Sequence, residues 1–229
     1  PVLTNYHDIG TGEAVLMLHG SGPGVSAWAN WRLVIPALAK DRRVIAPDMV
    51  GFGYTDRPAG IEYSMDTWVR QGLDLLDALG LEQVDLVGNS FGGALALALA
   101  IRHPQRVRRL VLMGSVGVPF EITEGLDAVW GYQASFENMR SIMDYFAWSR
   151  ELVTDELAKL RYEASIRPGF QQLSPYQCGP APAAHHANVS RRFLQDLLQA
   201  GHIKGMGAGH DHKVGLCPAE HLLQCLRKR

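Results

Sequence analysis

Set against the roughly 150 residues of an average domain, a chain of 229 suits one domain carrying an insertion. A composition 47% hydrophobic and 20% charged is that of a globular protein and excludes a disordered, collagen-like or coiled-coil chain. Twenty-two basic against 23 acidic residues leave a formal charge of −1. With no run of like charge, neither a nucleic-acid footprint nor a polybasic membrane patch is expected, and the expected partner is a small molecule.

In chain order, Leu3–Ile9 reads as an extended strand that turns at Gly10-Thr11-Gly12, with pairing to Val15–Leu18 as a hairpin the expectation. Continuous apolar runs at Val15–Leu18, Arg43–Ala46, Val84–Val87 and Val107–Met113 read as strands covered on both faces. Between them the spacing predicts helices over Ala27–Ala39, after Ser26, over Asp66–Leu79, capped by Ser64 and stopped by Gly80, and over Phe91–Arg102, ended before Pro104. Short strands alternating with amphipathic helices give a mostly parallel α/β sheet with helices on both faces. From residue 118 to 166 the texture turns aromatic and charged at helical spacing, which reads as a helical lid set between a core of residues 1–117 and a C-terminal segment of 167–229. Beyond Gln172 the pattern weakens: Pro175, Pro180 and Pro182 cluster, and no convincing strand follows.

The longest apolar run, Ala94–Ile101, is far short of the roughly 20 residues that cross a bilayer, and no secretion signal is visible, so a cytoplasmic location is expected. Cys178, Cys217 and Cys225 have no C-x-x-C spacing and read as free thiols rather than a disulfide framework or a zinc site. Neither metal nor cofactor is called for. A homo-oligomer stays open.

The sharpest chemical feature is Gly88-Asn89-Ser90-Phe91-Gly92, a G-x-S-x-G motif between a buried strand and an Ala-rich helix. A serine there sits on a strained strand-to-helix turn with its hydroxyl presented at the sheet's end, where the helix N-terminus favours developing negative charge. The competing reading is a glycine-rich helix entry with a capping serine. His19-Gly20-Ser21-Gly22-Pro23-Gly24 follows the strand Val15–Leu18; one of its N–H groups, with that of Phe91, would supply two donors for an oxyanion. The alternative is a plain Gly-Pro turn. Asp48-Met49-Val50-Gly51-Phe52-Gly53 follows the strand Arg43–Ala46, and Asp48 is expected to hold this turn by hydrogen bonds to backbone rather than to act as a catalytic acid.

Together these three motifs resemble the α/β-hydrolase superfamily. The strings Thr4-Asn5-Tyr6-His7-Asp8, His19 through Trp31 and Gly88 through Gly93 are similar to bacterial meta-cleavage product hydrolases, particularly the 2-hydroxymuconic semialdehyde hydrolase group, over residues 1 to about 172. The resemblance implies a cofactor-free, serine-dependent hydrolysis of a carbon–carbon bond in a 2-hydroxy-6-oxohexa-2,4-dienoate, giving 2-hydroxypenta-2,4-dienoate and a carboxylic acid. It makes Ser90 the nucleophile or the hydroxyl that activates water, and Ser21 and Phe91 the oxyanion hole. Asn30, Asn89 and Arg161 would hold the dienoate carboxylate and its 2-oxygen, and Val116 and Trp130 would line the acyl end. For Arg161 the alternative is a solvated helix residue, and for Trp130 simple core.

The resemblance also implies a late acid and base in the order Ser, Asp, His. Asp211 stands at a suitable distance but follows no apolar strand, and the matching histidine would fall beyond Arg229. His202, His210, His212 and His221 are the late substitutes, and a carboxylesterase on the same scaffold, or a catalytically impaired member, are the competing expectations.

Overall fold

The computed structural model describes residues 2–117, 123–147 and 149–168. Strands β1 (Tyr6–Ile9), β2 (Ala14–Leu18), β3 (Arg43–Pro47), β4 (Val84–Asn89) and β5 (Val107–Met113) form one sheet in the order β1-β3-β2-β4-β5, parallel except for β1. The continuous apolar runs have the expected cause, since both faces are covered. Leu16, Leu18, Ile45 and Leu86 point into a core with helices α3 (Met65–Ala78) and α4 (Phe91–Arg102). Their neighbours Val15, Met17, Val44, Ala46 and Val87 point the other way, onto α1 (Ala27–Trp31) and α2 (Ile35–Leu38), where Trp31, Ile35 and Leu38 are fully buried. Alternate side chains of each strand thus feed two separate cores.

Two expectations need correction. The first strand does not form a hairpin with β2. Both flanks of β2 are taken by parallel partners, so β1 lies antiparallel on β3, with Tyr6 opposite Pro47 and Ile9 opposite Val44. Gly10 makes the crossing possible: its φ is +85° and a Cβ there would lie 2.3 Å from the Arg42 carbonyl oxygen. The helix expected over Ala27–Ala39 is two short helices. Pro36 lacks the N–H that would continue the first, and α2 opens with it in its first turn.

The helix signals elsewhere hold. Ser64 Oγ accepts from the Thr67 N–H at 3.3 Å, and Gly80 follows α3 at φ +65°. Residues 124–165 form α5 (Glu124–Trp130), α6 (Phe136–Phe146) and α7 (Asp155–Ser165), each opened by a Thr or Ser whose hydroxyl accepts a backbone N–H. They share a small core of their own, in which Met139, Ile142, Met143 and Ala158 are buried. At the opposite end of the sheet, the fully buried Asp85 receives Arg108 Nε at 3.1 Å and Arg109 at 3.6 Å. No described helix is long and apolar enough to cross a membrane.

The packing of α4 against the sheet depends on Gly92, where a Cβ would fall 2.2 Å from the Leu18 carbonyl oxygen. Gly92→Ala is expected to cost about 1–3 kcal/mol, because rigid backbone rather than a movable side chain must give way. Urea unfolding of the two proteins would measure it, and an unchanged midpoint would show that α4 can slide.

Candidate active site

Three loops leave the C-terminal ends of β2, β3 and β4, the edge where open parallel sheets place ligands. In the loop from β4, Ser90 is half-buried and has φ +53°, the sole described non-glycine residue with positive φ. Its backbone is fastened on several sides: its N–H donates to Met113 O at 2.9 Å, and its carbonyl accepts from the N–H groups of Gly93 at 2.9 Å and Val116 at 3.3 Å. No side-chain capping bond to the helix is made, so the hydroxyl does not serve as a cap. A Cβ on Gly88 would lie 2.4 Å from Gly92 O, and one on Gly93 would meet Ser115 Oγ at 2.5 Å. The glycines of the motif are therefore required by close packing around a strained serine.

The loop from β2 lies directly beside it. A Cβ on Gly20 would stand 3.4 Å from Ser90 Cβ. Asn30 joins the two loops, its Oδ1 accepting from the Gly20 N–H at 3.1 Å and from Asn89 Nδ2 at 3.0 Å. Phe91 opens α4, so its N–H is one of the helix's orphan donors. Its ring packs edge-on against Trp68 at 4.7 Å between centroids and obliquely against Phe52 at 6.0 Å.

His19 is fully buried. Its Nδ1 sits 2.7 Å from Gly20 O, and Nε2 accepts the Met49 N–H at 3.0 Å, which fixes the neutral tautomer with the proton on Nδ1. Burial pushes its pKa below the usual histidine value. Asp48, also fully buried, accepts from the Ala27 N–H at 2.6 Å, Asn5 Nδ2 at 2.8 Å and the Tyr54 N–H at 2.8 Å. This is the turn-holding role expected of it. Gln71 seals the same loop, accepting from the Val50 N–H and donating to Asp48 O.

Arg161, on α7, is not the solvated residue of the alternative reading. Its Nη2 donates to Pro23 O at 3.1 Å, its Nε is buried without a partner among the described residues, and burial, with Arg32 nearby, lowers its pKa. A Cβ on Gly24 would strike Arg161 O at 2.2 Å, so α7 sits directly on the glycine loop. Val116 adjoins the Ser90 backbone, whereas Trp130 packs with the core of α5–α7. Asp211, His202, His210, His212, His221 and the three cysteines lie outside the described residues. Sequence reasoning missed Gln71, Trp68 and Ser115, which carry no motif: a helix glutamine reads as surface until the loop opposite is known.

The profile described as "alpha/beta hydrolase fold" matches residues 13–201, continuing past Gln172. The 2-hydroxy-6-oxo-2,4-heptadienoate hydrolase of Pseudomonas putida is 59% identical over 211 residues, covering 92% of this chain and 76% of the relative. The chain belongs to the α/β-hydrolases, among their meta-cleavage product hydrolases. Within that family the 2-hydroxymuconate semialdehyde hydrolase of a Pseudomonas strain, CF600, is 68% identical over 171 residues, 75% of this chain and 60% of its own length. A meta-cleavage product hydrolase structure from Pseudomonas fluorescens IP01 superposes with a TM-score of 0.76 at 58% identity, covering 82% of this chain and 68% of that one.

His19 also sets a pH dependence. Its folded pKa lies below the unfolded value near 6.5, so the stability gained by keeping it neutral is complete above about pH 6.5 and is lost as the unfolded state takes up a proton below it. Urea midpoints taken from about pH 8 down to pH 5 should fall in the wild type, with a shallower slope for His19→Gln. Parallel slopes would remove His19 as the cause.

Proposed function

We propose that this chain hydrolyses the carbon–carbon bond of a 2-hydroxy-6-oxohexa-2,4-dienoate-type ring-fission product, yielding 2-hydroxypenta-2,4-dienoate and a carboxylic acid. The relatives bear the names of hydrolases acting on such dienoates. The observation that carries the reading is the half-buried Arg161 guanidinium, its Nε unpartnered among the described residues, seated on the glycine loop next to Ser90. An enclosed guanidinium with spare donors suits a carboxylate, which accepts two parallel N–H bonds.

In this reading Arg161 grips the dienoate carboxylate, with Asn30 and Asn89 at the neighbouring 2-oxygen. Asn30 Oδ1 is already committed to Gly20 and Asn89, so its amide Nδ2 is the group that can donate. Polar donors at this end favour the keto form of the dienol, which makes an electron sink of the chain between the two oxygens. Ser90, as nucleophile or as the hydroxyl that activates water, then acts at the distal carbonyl beside Val116. The oxyanion falls to the Phe91 N–H and to that of Ser21, since the Gly20 N–H is occupied by Asn30.

The Ser90 proton needs an acceptor within roughly 2.6–3.2 Å. His19 is occupied at both ring nitrogens, and His103 ends a helix that carries it about 20 Å from Ser90 along the axis. This reading places the base in the late group His202, His210, His212 and His221, all outside the described residues, with Asp211 as the orienting acid.

Loss of the dienolate's visible absorbance is the assay. Ser90→Ala should lower turnover by about a thousandfold or more. Arg161→Lys should cut kcat/KM for the dienoate by roughly 10–100-fold while changing p-nitrophenyl ester hydrolysis less than about threefold. A chain that leaves the dienoate intact overturns the function, and equal losses on both substrates overturn the carboxylate assignment.

A further inference from the structure

Helix α7 has little to hold it by burial alone: of its eleven residues only Ala158 and Ser165 are buried, and Leu160 is 62% exposed. Ala158, Leu157 and Tyr162 pack it onto α5 and α6, Tyr132 Oη meets Ser165 Oγ at 3.0 Å and Arg140 pairs with Asp155, but its seat on the loops of the sheet rests on polar fastenings at two points. One is Arg161, through Pro23 O and the close approach of its own carbonyl to Gly24. The other is Arg167, two residues beyond the helix. Its Nη1 donates to Gly53 O at 3.1 Å, and its guanidinium carbon lies 4.1 Å from the centroid of the Tyr54 ring.

The platform that receives Arg167 is rigid. Gly53 O also accepts from Arg57 Nη2 at 3.1 Å, the Tyr54 N–H is held by the buried Asp48 carboxylate, and a Cβ on Gly53 would collide with that carboxylate at 2.2 Å. The Gly53 N–H, in turn, donates to Val25 O at 3.2 Å, in the loop that also contains Pro23 and Gly24. The contacts close a circuit from Arg161 to the glycine loop, to Gly53, to Arg167 and back along α7.

We propose that Arg167 is a positioning residue: it latches the end of α7 to the Gly53–Tyr54 platform and so fixes where the Arg161 guanidinium stands relative to Ser90. Arg167 touches no reacting atom. Its effect passes through Arg161 and so rests on the carboxylate-binding reading given above. A lysine in its place retains charge and a donor but loses the broad guanidinium face over the Tyr54 ring.

The test uses the full chain and the variants Arg167→Met, Arg167→Lys and Arg161→Met. Hydrogen exchange over residues 155–165 reads the latch, and dissociation constants for a dienoate carboxylate and for its neutral methyl ester read the consequence. Arg167→Met should speed exchange in α7 about tenfold with α3 and α4 unchanged. It should weaken the carboxylate about tenfold with the ester unaffected, and Arg167→Lys should fall between. Unaltered exchange in α7 overturns the latch. Faster exchange with undiminished carboxylate preference, while Arg161→Met abolishes that preference, overturns the positioning role. If Arg161→Met itself leaves the preference intact, the carboxylate reading fails and the positioning role fails with it; the exchange result then still decides the latch on its own.

Discussion

The close approach of helix α4 to the end of β2 is the constraint on which the site depends. With no side chain at residue 92, the first turn of the helix meets the Leu18 carbonyl at a distance no methyl group would allow. That contact places the β2 loop against the serine turn, puts Gly20 next to Ser90, and lets Asn30 span the two with one oxygen. Loosening it would move the β2 loop away from the Ser90 hydroxyl, and a shift of about 1 Å is enough to cost much of an alignment effect.

The second tier of order is polar and buried. Asp48 and His19 use their hydrogen-bonding capacity on backbone groups of the β3 loop and its surroundings and on the Asn5 amide, and Gln71 closes the remainder from α3. Groups of this kind are costly to leave half-satisfied, so they act as a frame with few alternatives. Helices α5–α7 are built differently, around a modest apolar cluster of their own, and meet the frame through arginines. A tightly specified floor therefore carries a cover whose placement is set by a few long side chains.

Much of this was legible in the sequence because it was written in local signals. The continuous apolar strands, the Ser64 cap with Gly80, and the serine between two glycines each follow from backbone chemistry within a few residues. What was not legible depended on competition between distant segments. Nothing in Leu3–Ile9 says that β2 has no free flank, so its pairing with β3 appears only once the whole sheet is assembled. The apolar spacing of Ala27–Ala39 reads as one helix despite Pro36, and only the packing of Trp31 and Ile35 into one core shows where the chain must turn. Arg161 was recognised through its resemblance to a family pattern, while its unpartnered Nε could be known only from three dimensions.

Ser90 offers one more lesson, about evolution under two demands. A non-glycine residue at φ +53° carries a strain of about 1–3 kcal/mol, which glycine would relieve. Drift toward greater robustness alone would therefore favour deleting the side chain at this position. On the proposed reading, a hydroxyl placed where the backbone least tolerates a side chain is the point at which this fold trades durability for chemistry.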